Sequence, residues 1–289
     1  MSEEAMKLRS GGMTFEVKRA GNPRHPLVLL LHGFPQTSYS WRHQLEPLAD
    51  AGYFAVAPDQ RGYSAGARPQ TVDAYATDAL VGDALAMMDV LGHHRAHVVG
   101  HDWGGQLAWL LSAHHPERVL TLTVLSRPHP RAFLEAIRTD AAQAERSKHH
   151  RAFQDPATAA RLLADGARRL RALFGGEQVP AADQEAYLRV LGEPAALDAA
   201  INWYRAAPTA GAHSPLAAAN TPTVTVPTLY VWGDADATVG RAAAEGTARW
   251  VTGDYRFEAL PGIGHFITDQ VGEKVTELLL AHLARHADG

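Results

Sequence analysis

Val98-Val99-Gly100-His101-Asp102-Trp103-Gly104-Gly105 decides how this chain is read. An apolar run enters a small-X-Asp-X-small turn. A helix-compatible stretch, Gln106 to His115, follows until Pro116 halts it. That is the layout of a nucleophile elbow, with aspartate where serine usually stands. The elbow residue sits in a strained turn, and neighbours without bulk let the backbone pass close to itself. The helix N-terminus beyond it sets free N–H groups and positive dipole beside the carboxylate. Asp is also a favoured N-cap. A purely capping Asp102 is therefore the competing expectation, and the motifs around it weigh for the nucleophile.

Outward from the elbow, strand-like and helix-like stretches alternate. Met13 to Ala20, Leu27 to Leu31, Tyr53 to Pro58, His97 to Gly100 and Leu120 to Leu125 read as strands. Trp41 to Ala51 and Asp73 to Leu91 have helical spacing, with Gly52 and Gly92 just past their ends. This alternation predicts an α/β fold, a mostly parallel sheet with helices on both faces. From about Arg127 to Thr225 no strong strand run occurs. Alanine, leucine and arginine dominate there, with helical spacing in Thr158 to Phe174 and Ala182 to Leu191. Alternation resumes at Pro227: a strand over Thr228 to Trp232, a helix over Arg241 to Trp250, a strand over Tyr255 to Leu260 and a closing helix over Val271 to His286. The expected organisation is one α/β domain, residues 1–126 and 227–289, interrupted by a helical insertion, residues 127–226.

Composition narrows the function classes. A length of 289 residues suits one large α/β domain with an insertion, and 46% hydrophobic residues is an ordinary globular balance. Cysteine is absent, which excludes disulfides and thiolate metal sites. The formal net charge of −4 gives no electrostatic reason to expect nucleic acid or an anionic membrane. Met1 to Ser10 is polar and of mixed charge, so no signal peptide is expected. No stretch has the apolar length of a membrane span. No H-E-x-x-H pair occurs, and no metal is expected. The expectation is a cytoplasmic protein whose partner is a small molecule, with a homodimer as the one further association considered.

Five motifs together carry a resemblance. Gly100-His101-Asp102-Trp103-Gly104, His32-Gly33-Phe34-Pro35, Asp59-Gln60-Arg61-Gly62-Tyr63, Gly233-Asp234-Ala235-Asp236 and Gly262-Ile263-Gly264-His265-Phe266 occur in that family's order and spacing. The chain, from about Phe15 to Leu283, resembles the epoxide-hydrolase and haloalkane-dehalogenase branch of the α/β-hydrolase superfamily. The resemblance implies an α/β-hydrolase fold, with the helical insertion acting as a cap over the site. It also implies His265 as the base and Asp236, the later acid of its loop, as the residue that orients it. Asp234 then bonds its own turn. After the Leu120 to Leu125 strand, where some relatives carry the acid, the chain has Ser126 and Arg127. Backbone N–H groups of Phe34 and Trp103, following His32-Gly33 and the nucleophile, are expected to form the oxyanion hole.

An aspartate nucleophile restricts the chemistry. Attack on an ester or amide carbonyl would give an anhydride, whereas attack on a saturated carbon gives an ordinary ester. Water can cleave that ester with a histidine as general base. The substrate should therefore carry an epoxide oxygen or a halide on a saturated carbon. No cofactor is implied, because water is the only second reactant.

Proton donors separate the two substrates. An epoxide oxygen leaves as an alkoxide and needs a proton; a halide needs only N–H donors. Asn202-Trp203-Tyr204-Arg205 resembles the epoxide-hydrolase cap motif whose tyrosine donates to the ring oxygen. A second cap tyrosine, usual before a Phe-Gln-like pair, is missing from Ser147-Lys148-His149-His150-Arg151-Ala152-Phe153-Gln154. His149 aligns with it and His150 is one residue away, so either histidine is a candidate second donor. Phe34 stands where many haloalkane dehalogenases have a halide-holding Asn. Trp103 stands where fluoroacetate dehalogenases have Arg, although its indole N–H is a candidate halide donor. Phe34, Trp103 and Trp203 predict a mainly apolar pocket. The expected activity is opening of an epoxide to a vicinal diol through an ester on Asp102. A haloalkane or haloacid dehalogenase and a non-catalytic small-molecule receptor are the alternatives.

Overall fold

Leu27–Leu31 and Phe54–Pro58 are apolar at every position and offer no face to water, so they can pack only inside a sheet covered on both sides. The computed structural model, which describes residues 2–209 and 216–286, places them there. Its strands are β1 (Glu4–Ser10), β2 (Met13–Ala20), β3 (Leu27–Leu31), β4 (Phe54–Pro58), β5 (Ala96–His101), β6 (Val119–Leu125), β7 (Thr228–Gly233) and β8 (Tyr255–Leu260). They form one sheet in the order β1-β2-β4-β3-β5-β6-β7-β8. β2 runs antiparallel to β1 and β4, and the other neighbours are parallel.

Alternation along each central strand feeds two cores. Leu27, Leu29, Leu31 and Val98 pack on one face with Trp109, while Val28, Leu30 and Val99 pack on the other with Trp41 and Leu279. The helices of the α/β part are α1 (Leu45–Asp50), α2 (Thr77–Val90) and α3 (Trp103–His114). Between β6 and β7 the described chain forms α4 (Pro130–Thr139), α5 (Ala141–Arg146), α6 (His149–Ala152), α7 (Thr158–Ala172), α8 (Ala181–Leu191) and α9 (Pro194–Thr209), and no strand. After β7 come α10 (Arg241–Gly246), α11 (Ile267–Gln270) and α12 (Gly272–Arg285).

The structure departs from the sequence pattern in several places, among them Asp73 to Leu91, which divides into a 3-10 turn at Val72–Tyr75 and α2, and Arg241 to Trp250, which divides into α10 and a 3-10 turn at Thr247–Trp250. Glu4–Ser10, polar overall, is an edge strand paired along its length with β2. The helical spacing of Trp41 to Ala51 resolves into a 3-10 turn at Ser38–Trp41 and the short α1. Helix α3 starts at Trp103, directly after the elbow, because the two glycines that look like turn residues are its first turn.

Strands β3 to β8 run parallel, so their carboxyl ends share one edge of the sheet, and the loops there carry the chemistry. Asp102 follows β5, Ser126 follows β6, Asp236 lies in the loop after β7, and His265 lies in the loop after β8. This is where sites form in open parallel sheets.

Candidate active site

The elbow depends on missing side chains. A Cβ on Gly104 would sit 2.0 Å from the Leu31 carbonyl oxygen, and one on Gly100 would sit 2.3 Å from the Gly104 carbonyl oxygen. Only glycine lets β5 turn so tightly into α3 beside β3. Asp102, between them, has φ 50° and ψ −116°. Such backbone in a non-glycine residue costs about 1–3 kcal/mol and persists only when the surroundings impose it. Asp102 occupies the N-cap position of α3 but makes no side-chain capping bond. Its Oδ1 instead accepts from the Phe34 N–H at 3.1 Å. The adjoining Trp103 backbone N–H also favours the carboxylate anion. Its Oδ2 lies 3.8 Å from His265 Nε2.

His265 reaches this spot on the loop after β8, and its Nδ1–H donates to Asp236 Oδ2 at 3.0 Å. Asp236 is buried. Its Oδ1 accepts from the N–H of Thr238 at 2.7 Å and of Val239 at 3.0 Å, and from the Thr238 hydroxyl at 2.8 Å. Its Oδ2 accepts from the Ser126 hydroxyl at 2.6 Å. Asp234 lies apart, with Oδ1 accepting from the Gly262 N–H at 2.7 Å. His101 Nε2 donates to the His265 carbonyl at 2.9 Å and anchors the histidine loop.

Charge and burial compete here, and charge prevails at the three aligned groups. Burial works to raise the Asp236 carboxyl, but the charge and hydrogen bond of His265 and the Ser126 and Thr238 donors hold it well below the usual carboxylate range. Burial likewise opposes the Asp102 anion, but His265, His101, Arg127 and the Trp103 N–H hold its carboxyl below the ordinary value. Burial would lower His265; the charge and hydrogen bond of Asp236, and then the charge of Asp102, raise it instead. Around these groups burial wins, pushing His101 down to about 4.

Asp102 and His265 open into a cavity of about 240 Å³ that Phe34, His149, Phe153 and Tyr204 also line. Tyr204 stands on α9, buried, with its ring edge-on to Phe34 at 5.5 Å, Trp103 at 5.1 Å and Phe153 at 4.8 Å. Its carbonyl accepts from Gln154 Nε2 at 2.6 Å, which ties α9 to the segment after α6. Burial and then the Asp102 charge push its hydroxyl well above 10, while a side-chain hydrogen bond from Trp103 works the other way. Arg146, Gln178 and Thr238 give the same cavity polar edges beside its aromatic walls.

The two neighbouring histidines part company. His149 lines the cavity, and its Nδ1 lies 2.9 Å from the Arg146 carbonyl. A carbonyl only accepts, so Nδ1 carries the hydrogen and Nε2 of the neutral ring is an acceptor. Burial lowers its pKa. His150 instead lines a second cavity, of about 210 Å³, with Trp103 and Arg127. Burial pushes it down to about 3. Trp203 is not in the Asp102 cavity lining: its indole donates to the Arg61 carbonyl at 2.8 Å, and its ring packs on Tyr63 and Trp103. His32 lies buried beneath the loop, with Nδ1 donating to the Gly33 carbonyl at 3.0 Å and Nε2 accepting from the Gln60 N–H at 3.2 Å. Ser126 and Thr238 carry no motif signal and emerge from the structure alone. No group of three or more His, Cys, Asp or Glu side chains is placed to hold a metal among the described residues. Among them, too, no helix is long and apolar enough to cross a membrane.

Comparison with known proteins points the same way as the geometry. The family model described as alpha/beta hydrolase fold matches residues 26–270. Epoxide hydrolase A of Mycobacterium tuberculosis is 34% identical, with 95% of each chain covered. Epoxide hydrolase 4 of Mus musculus is 35% identical over 96% of this chain and 78% of its own length. Among solved structures, one from a study of novel epoxide hydrolases in metagenomes from hot environments superposes with a TM-score of 0.87 at 30% identity, covering 99% of this chain and 100% of the other. Epoxide hydrolase A from Mycobacterium thermoresistibile gives a TM-score of 0.83 at 27% identity, with 98% of each chain covered.

Proposed function

Because the chain belongs to the epoxide-hydrolase branch of the α/β-hydrolase fold family, we propose that it opens a small epoxide to a vicinal diol through an ester on Asp102. The observation that carries this reading is the split role of one carboxylate. Oδ1 is held by the Phe34 backbone N–H, while Oδ2 is left near His265 in a cavity that Tyr204 shares.

In the first step Oδ2 attacks a ring carbon. The carbon–oxygen bond breaks, its electron pair stays on the ring oxygen, and that oxygen takes the Tyr204 hydroxyl proton. An alkoxide is a stronger base than even a buried tyrosinate, so the transfer is downhill. In the second step His265 Nε2 removes a proton from water, and the resulting hydroxide attacks Cγ. Charge then develops on Oδ1, which already accepts from the Phe34 N–H, and the Trp103 N–H beside the carboxylate is the second donor this step assigns. Collapse breaks the bond from Cγ to Oδ2, and Oδ2 leaves in the diol. The two protons of the water finish on Tyr204 and on the departing oxygen. Asp236 holds His265 in place throughout.

The charge of Asp102 links the steps. It raises both Tyr204 and His265 in the free enzyme. Alkylation removes that charge, so Tyr204 becomes a better donor as the ester forms, and His265 then becomes free to act as a base. His149 lines the cavity as a neutral ring whose other nitrogen, Nε2, is an acceptor, and a donor part for it would require a proton that burial opposes. Residues 127–226 act as the cap, bringing Tyr204 over a core of residues 1–126 and 227–289. The setting this reading assigns is the cytoplasm, with at most self-association into a homodimer and no nucleic-acid partner. Halide release is the weaker reading, because Phe34 has no side-chain donor and Trp103 does not line the cavity that holds Asp102.

A single turnover in oxygen-18 water, with enzyme in excess over an epoxide such as styrene oxide, tests the route. Unlabelled diol in the first turnover and label in the Asp102 carboxylate are expected. Label in the first diol would mean direct attack by water and would remove Asp102 as nucleophile.

A further inference from the structure

Ser126, the first residue after β6, is fully buried at a φ of 66°. Glycine would take this left-handed conformation freely, and serine does not. The one thing serine adds is a hydroxyl. Its Oγ donates to Asp236 Oδ2 at 2.6 Å and lies 2.9 Å from His265 Nδ1. Thr238 Oγ1 likewise donates to Asp236 Oδ1 at 2.8 Å and lies 2.8 Å from the same Nδ1.

A hydroxyl has one proton and two lone pairs. Each of these hydroxyls gives its proton to a different oxygen of Asp236, and so each can turn only a lone pair toward Nδ1. The two hydroxyls and Asp236 Oδ2, which surround Nδ1, are then all acceptors toward it. The nitrogen must carry its hydrogen, and Nε2 is left bare on the side of Asp102.

We propose that Ser126 is a positioning residue for the general base, kept in strained backbone because its hydroxyl, paired with that of Thr238, locks His265 in the Nδ1–H tautomer. The inference rests on the reading of His265 as the base. Ser126 acts only through His265 and does not line the cavity that holds Asp102. The groups that also bear on His265 are Asp236 from the β7 loop, Asp102 and His101 from the elbow, and Arg127 after β6.

The test separates hydroxyl from backbone. Ser126→Gly relieves the strain and deletes the hydroxyl; Ser126→Ala deletes the hydroxyl and keeps the strain. With styrene oxide, tryptophan fluorescence would follow alkylation, intact mass would follow decay of the ester, and a thermal melt would report the fold. For Ser126→Gly the melting midpoint should hold or rise and alkylation should stay within about twofold. The pH-independent plateau of ester hydrolysis should fall roughly tenfold or more, a fraction of what a general base supplies. Thr238→Val should lower the same plateau and Thr238→Ser should restore it. A Ser126→Gly enzyme that hydrolyses the ester at the wild-type plateau, or slows both steps alike, would overturn the proposal. Failure of the wild-type enzyme to form any ester would overturn it together with the reading it rests on.

Discussion

At the scale of single residues, the two oxygens of one carboxylate, and the two nitrogens of one imidazole, have different surroundings. Asp102 Oδ1 is bound by backbone and Oδ2 is not; His265 Nδ1 is enclosed by Asp236, Ser126 and Thr238, and Nε2 is not. Tyr204 and His149 line one cavity yet differ in what they present, a hydroxyl proton against an acceptor lone pair. Tyr204→Phe should therefore slow ester formation about 10²-fold or more, the lower end for loss of a general acid. His149→Gln should change it only a few-fold. Stopped-flow fluorescence on both variants checks this, and equal losses would make His149 a second proton donor.

At the scale of elements, the β5–elbow–α3 unit is the part least tolerant of change. A methyl on Gly104 has nowhere to go, because the Leu31 carbonyl is backbone and cannot swing aside. Gly104→Ala should lower stability by about 2–4 kcal/mol, in the range of overpacked or strained core sites, and should misplace Asp102. Denaturant unfolding measures the first effect, and a variant as stable as wild type would show that the elbow is looser than described. This unit was also the most legible part of the sequence, because steric need forces small residues at fixed spacing. The parallel order was legible for a similar reason: strands buried on both faces read as unbroken apolar runs. Glu4–Ser10 was not legible, because an edge strand alternates and its charged outer residues hide Met6 and Leu8. In the site, motifs singled out Asp102, Asp236 and His265, which the structure brings together, but not Ser126. Its contact with Asp236 spans 110 residues, and a serine after a strand has no distinguishing pattern. Motif spacing likewise could not divide His149 from His150, since which of two adjacent helical residues meets the cavity depends on how α6 is rolled against α9.

At the scale of the whole molecule, burial of neutral histidines sets the acid limit of the fold. His97, His101, His129 and His282 are buried, and burial pushes each down to about 4. Unfolded, each would titrate near 6.5, so between about pH 6.5 and pH 4 the unfolded chain binds the extra protons. Each then costs stability at about 1.4 kcal/mol per pH unit as pH falls through that window. His265, raised in the fold, works in the opposite direction and is outnumbered. The thermal midpoint should drop steeply from pH 6.5 to pH 4.5, and a flat profile would mean that these rings are charged or solvated in the native state. The most direct test of the central claim is the intact mass of His265→Gln after incubation with a panel of epoxides and haloalkanes. A stable adduct equal to one whole epoxide, absent when Asp102→Ala is added, is the predicted result. An adduct lacking its halogen, or an epoxide adduct that survives Asp102→Ala, would contradict it.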